Sequence, residues 1–388
     1  MKINKMLIFK LLYFSFIGGL GAFMPYFNVW LEKQGLVGSQ IGQVSSLGLI
    51  LTVVVMPLWG MIADKTKKHK EVMIFSLALS LVAIFVFAGQ SQYFPILLCS
   101  LFLNFARCGI MPMADSQVVS YTQATGENYG SVRGMGSLGY ALMSMLVGFV
   151  AEKMDLTAPL FGIYGALMAL SLILAIFFPK TEVVQKEEKE KFNMSAVREL
   201  ITNKNFLFIL LTLSITTALI DSAHLYSGNH LLGKLGASTS IMSWMTLVTV
   251  VPEVIFLSHA SKFLEKWGYK KFYMVMSGTV CIRLFVYAIA PNPYLYLAVS
   301  VVHCIHVACH SVGNLSYIKK SVNPAVLTTA ITIMNTFVSL SQAAYGYLFG
   351  IIYEKSGSNM IFAISAAIAA VAFIMISRTH RFDHMNKQ

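Results

Sequence analysis

The chain alternates long apolar runs with short polar turns. Runs long enough to cross about 30 Å of hydrocarbon lie near 7–31, 39–63, 71–90, 94–121, 131–153, 158–179, 205–230, 238–263, 271–291, 293–318, 326–351 and 358–378. They predict an all-α membrane protein of twelve transmembrane helices. The first run is too long for a signal-peptide core and lacks a small-residue cleavage site, so it reads as a retained span. One long polar stretch, "PKTEVVQKEEKEKFNMSAVRELITNK", separates six spans from six. The expected organisation is an N-terminal bundle over 1–178, a charged cytoplasmic linker over 179–204 and a C-terminal bundle with a short tail over 205–388.

Composition agrees. Hydrophobic residues make up 56% and charged residues 12%, against about 25% charged in soluble proteins, which excludes an ordinary soluble domain. The net charge of +12 is explained by where the charge lies. With both termini inside, only Lys33, Lys153, Lys234 and Lys355 occupy outer loops and only Arg107, Arg133 and Arg283 lie deep within spans; the other basic residues are at cytoplasmic ends or in cytoplasmic segments. This is the positive-inside pattern, and it encodes topology rather than a nucleic-acid partner. All five cysteines fall inside spans, which excludes an extracellular disulfide framework.

The two blocks echo each other at a constant offset of 201: Asn28 with Asn229, Leu31 with Leu232, Lys33 with Lys234, Gly35 with Gly236, Ser39 with Ser240, Lys65 with Lys266 and Lys70 with Lys271. A sustained offset is the mark of an internal repeat, and two six-helix halves are the architecture of major facilitator transporters. "GMIADKTKKHK" resembles that superfamily's signature loop between spans two and three, and "SKFLEKWGYKK" is its second-half copy. The resemblance implies a conformational latch built from Asp64, Lys65 and Lys68 in one copy and Glu265 and Lys266 in the other. Lys67 stands where the family usually has glycine, whereas the second copy keeps Gly268.

Ionisable residues inside spans usually face a cavity or a partner, because burying them in hydrocarbon is costly. The acids are Asp115, Asp221 and Glu253; the bases Arg107, Arg133 and Arg283; the histidines His224, His230, His303, His306 and His310. Counting from the turns puts Asp115 and Arg133 at equal depth, and likewise Arg283 and His303, so each pair is expected to meet. In span five Arg133, Ser137, Tyr140 and Ser144 share one face, as do His303, His306, His310 and Asn314 in span ten. "GMGSLG" formally matches a dinucleotide fingerprint, but no buried strand precedes it; its glycines are read as helix-packing positions around Arg133. The "HCIHVACH" stretch lacks a carboxylate on its histidine face, so it is read as a proton or solute pathway rather than a metal site. No cofactor and no metal are expected.

"MPMADSQ" with "YGSVRGMGSLGY" resembles the lactose permease and phenylpropionate permease group of proton symporters, as do "VVPEVIF", "VVHCIHVACH" and "FGIIYEKSG". The resemblance implies substrate binding by Asp115, Arg133 and Asp221, with Ser137 beside them and Tyr140 stacking on a ring. It places Glu253, Arg283, His303 and His306 in proton coupling. The group's His-x-x-Glu becomes His303-x-x-His306 here, and its span-eleven lysine becomes Val338, so the lactose proton mechanism does not carry over intact. The expected protein is a monomeric, proton-coupled symporter of a small organic solute in the inner membrane, non-enzymatic and without a nucleic-acid partner. A sugar, a nucleoside or an aromatic carboxylate fits as solute. A proton-coupled exporter is the alternative, and a non-transporting sensor belongs to a different class.

Overall fold

The computed structural model describes residues 5–179, 198, 200, 202–323, 326–380 and 382; most of the expected linker over 179–204 lies outside them. The described residues are helical, without a strand. Helices α1 (Lys5–Lys33), α2 (Gly38–Thr66), α3 (His69–Ala88), α4 (Tyr93–Thr125), α5 (Tyr129–Val150) and α6 (Thr157–Phe177) make six passes. Helix α7 runs through Lys204–His224 and continues to Lys234 after a turn at Leu225 and Tyr226. The 51-residue helix Thr239–Ile289 breaks at Gly268 into α8 (239–267) and α9 (269–289). Helices α10 (Pro293–Ser321), α11 (Leu327–Ser356) and α12 (Ser358–Arg378) complete the twelve-helix fold. The loop expected near 264–270 is helical on both sides of Gly268, so the second signature copy is a kink rather than an open turn.

The outer faces are apolar. Phe85 is 73% exposed and Ile282 63% exposed, which is stable only against hydrocarbon. Polar and small residues turn inward instead.

Two compact units divide the chain, 1–188 with 238–246, and 189–237 with 247–388. The first is organised around α1, whose Phe9, Tyr13, Phe23, Tyr26 and Trp30 are buried. A glycine seam lets α1 approach α5. A Cβ at Gly139 would collide with the carbonyl of Phe14, one at Gly21 with the backbone of Tyr140, and one at Gly136 with the side chain of Ile17. Gly134, the first glycine of the fingerprint, has open space around it. Against α6, Ser15 Oγ meets Ser171 Oγ at 2.7 Å and the Trp30 indole donates to Thr157 Oγ1 at 3.0 Å.

The second unit carries three π-helical stretches, Leu210–Ser214, His230–Lys234 and Cys309–Gly313. Such wide turns cluster at functional sites because they re-aim side chains. The stretch at Cys309–Gly313 falls inside the histidine run of α10.

Candidate functional site

In the first unit Asp115 projects from α4, half-buried. Its Oδ1 accepts hydrogen bonds from the Tyr13 hydroxyl of α1 and, at 2.8 Å, from the Tyr129 hydroxyl at the start of α5. The expected ion pair with Arg133 is not formed. Arg133 is exposed, and among the described residues no carboxylate lies within ion-pair distance of it. Equal depth did not suffice, because the closely packed α1 brings Tyr13 to the carboxylate and Tyr129 reaches it from one turn before Arg133. Ser137 and Tyr140 are half-buried on the same helix. Ser144, the last member of the stripe, donates to Thr246 Oγ1 at 3.0 Å within this unit.

In the second unit Arg283 and His303 do meet, with Nη1 of the arginine 2.6 Å from Nδ1 of the histidine. Arg283 is 2% exposed and its Nε has no partner. Its Cζ lies 5.6 Å from the centre of the Tyr287 ring, a cation–π contact. The His303 ring stacks on that of His224 from α7, with centroids 5.7 Å apart and planes at 10°. His306 and His310 continue the file at 6.1 and 6.2 Å. His306 Nδ1 and His310 Nε2 are buried without a partner. Asp221 Oδ2 accepts from the Gln342 amide of α11 at 2.6 Å. Glu253 is half-buried on α8 with no hydrogen bond among the described residues.

The signature loops differ in geometry. Asp64 Oδ1 lies 3.1 Å from His69 Nε2, while Lys65 and Lys68 are exposed. Lys67 sits in the left-handed region at φ 56°, ψ 26°, closing the end of α2. Gly268 adopts φ 68°, ψ 166°, a region essentially reserved for glycine. A left-handed helix end admits lysine at a cost; the second kink admits glycine alone. Glu265 and Lys266 line a cavity of about 880 Å³ with Trp267, Tyr269, Lys319 and Lys320.

Sequence reasoning missed Tyr13, Tyr129, Gln342 and His69, and saw His224 only as an intramembrane histidine. Extending the α5 stripe back one turn from Arg133 would have found Tyr129. Nothing local marks Tyr13 or Gln342, which lie 102 and 121 residues from their partners.

Residues 6–364 match the model of the MFS_1 like family. A protein of Bacillus subtilis named an uncharacterized transporter, YwbF, is 31% identical over 82% of this chain and 79% of its own length. A maltose permease of Geobacillus stearothermophilus is 23% identical over 96% of this chain and 95% of its own. Among solved structures, that of the nucleoside transporter NupG superposes with a TM-score of 0.84. It is 17% identical and covers 97% of this chain and 100% of that one, a likeness of fold.

Proposed function

The chain belongs to the MFS_1 like family and is a multi-pass membrane transporter rather than an enzyme; from that premise we propose that it carries a small organic solute together with a proton. The single observation that supports proton coupling most directly is the file of four imidazoles, His224, His303, His306 and His310, beside Arg283 within the second unit. Imidazole gains and loses a proton near neutral pH and offers two distinct nitrogens, and ionisable groups within spans mark ion and proton pathways.

In this reading Glu253 is the principal proton carrier, with His303 and His306 as relay. Asp115, Arg133, Ser137, Tyr140 and Asp221 bind the solute, and Tyr13 and Tyr129 position the Asp115 carboxylate. The protein lies in the cytoplasmic membrane with both termini inside. It works as a monomer by alternating access, and Asp64, Lys65, Lys68, Glu265 and Lys266 latch the cycle. Import is favoured because the maltose relative is named a permease.

Purified protein in proteoliposomes tests this reading. Glu253→Gln mimics a permanently protonated carboxyl. It should lose proton-driven accumulation by 10-fold or more, about 1.4 kcal/mol of coupling, while exchange of solute across the membrane continues. Undiminished accumulation by this variant would remove Glu253 from the pathway.

A further inference from the structure

We propose that the transported solute is a small organic anion whose acidic group pairs with Arg283, and that this pairing opens the histidine relay by releasing Nδ1 of His303. The proposal deepens the transporter reading above and rests on it.

Arg283 is 2% exposed, and among the described residues no carboxylate stands within ion-pair distance of it. Asp221 is near enough for its charge to act on the guanidinium's, but it stays outside ion-pair distance and turns one oxygen to Gln342 at 2.6 Å. Among the described residues the guanidinium has one hydrogen-bonding side chain, His303, which is uncharged when it accepts, and Nε has no partner. A buried cation left this way is costly, and an opposite charge with the right geometry offsets the cost. Hydroxyl groups of a sugar or nucleoside accept hydrogen bonds but bring no charge. A carboxylate or similar acid supplies both the charge and two acceptor oxygens that match the guanidinium fork. Access exists, because Asp221, His224 and His303 around the arginine all remain partly exposed.

The contact with His303 ties anion to proton. A guanidinium can only donate, so Nδ1 at 2.6 Å from Nη1 must be the bare, accepting nitrogen. No proton can enter at Nδ1 while Arg283 occupies it. The groups facing His303 are Arg283 from α9, His224 from α7 and His306 from its own helix; the acid that acts on the guanidinium, Asp221 of α7, is tethered to Gln342 and stands outside ion-pair distance. An arriving anion can. Once Nη1 turns to the anion, Nδ1 accepts the proton that Glu253 takes up from water on the entry side, and the imidazolium hands a proton on along the file. When the anion leaves, Arg283 returns to Nδ1 and the proton is expelled to water on the far side. One negative and one positive charge move together, so the cycle carries no net charge.

Proteoliposomes holding a pH-sensitive dye test this with benzoate and 3-phenylpropionate, their neutral amides as matched controls, and maltose. Measured as the excess over protein-free liposomes, which the undissociated acids and the amides cross unaided, the acids should enter with one proton each, at a rate indifferent to an imposed membrane potential, and the amides and maltose should show no excess. Arg283→Gln should lower acid uptake about 100-fold, in line with the loss of one partner from a buried charge pair. Arg283→Lys, which keeps the charge, should retain part of it and controls for folding together with thermal melting. His303→Gln should uncouple, so that acid exchange falls far less than acid accumulation. Proton-coupled entry of maltose or the amides with Arg283→Gln unimpaired overturns the anion and leaves the transporter reading standing. No entry of any probe above the rate of protein-free liposomes, with folded protein present, overturns both. Acid uptake that follows the membrane potential overturns the one-to-one gate alone.

Discussion

At the scale of single residues, what decides the first unit's site is which donor reaches Asp115 first. The carboxylate takes two phenol hydroxyls from two helices, and hydrogen bonds to an ionised acceptor are about twice as strong as neutral ones. Tyr129 should therefore be energetically coupled to Asp115. A double-mutant cycle with Tyr129→Phe and Asp115→Asn, read by thermal unfolding in detergent, should give a coupling of about 0.5–3 kcal/mol. Simple additivity of the two variants would mean that the contact contributes nothing. Arg133 is exposed and, among the described residues, has no acid within ion-pair distance; under the proposed function it is free to act on the solute. Arg133→Ala should weaken solute binding while the protein still inserts and melts as the wild type does; wild-type affinity would remove it from the site.

At the scale of helices, glycines and kinks set the distances. The seam between α1 and α5 has no room for a methyl group at Gly139, since the obstacle is the Phe14 carbonyl, a backbone atom that cannot rotate away. Gly139→Ala should cost about 1–3 kcal/mol, as overpacking does, and lower the yield of folded protein. Gly134→Ala, at the first glycine of the nucleotide-like motif and facing open space, should be silent or stabilising. Equal effects at the two positions would refute the seam. Lys67 and Gly268 make a second pair. Lys67→Gly should stabilise by about 1 kcal/mol, because the left-handed conformation strains a residue with a Cβ. Gly268→Ala should destabilise by about 1–3 kcal/mol, because its conformation is closed to other residues. Thermal melting of both variants checks the sign of each.

At the scale of the whole molecule the proposed latch would act through a surface contact. The Asp64–His69 pair is 3.1 Å long but Asp64 is 43% exposed, and exposed pairs are worth about 0–1 kcal/mol. It cannot matter much to stability. A difference of that size between two conformations is still enough to change their populations several-fold. Asp64→Asn should slow turnover in proteoliposomes about two- to fivefold with unchanged melting temperature and solute affinity. An unchanged turnover rate would place the latch elsewhere.

The number of spans, the membrane setting and the meeting of Arg283 with His303 were all legible in the sequence. Each depends on hydrophobic length or on counting along antiparallel helices joined by a short turn, and those quantities are local. The same counting failed for Asp115 and Arg133, because depth along a helix says nothing of rotation about its axis. That rotation is set by α1, more than a hundred residues earlier, docking through Gly18, Gly21, Gly136 and Gly139. Likewise the partner of Asp221 comes from α11, and the stacking of His224 on His303 joins α7 to α10. From residue order alone follow which side chains are ionisable and how deep they lie. Which partner each found was settled when helices distant in the chain packed together, because a hydrogen bond depends on azimuth and separation to within a few tenths of an ångström, and close packing alone fixes these.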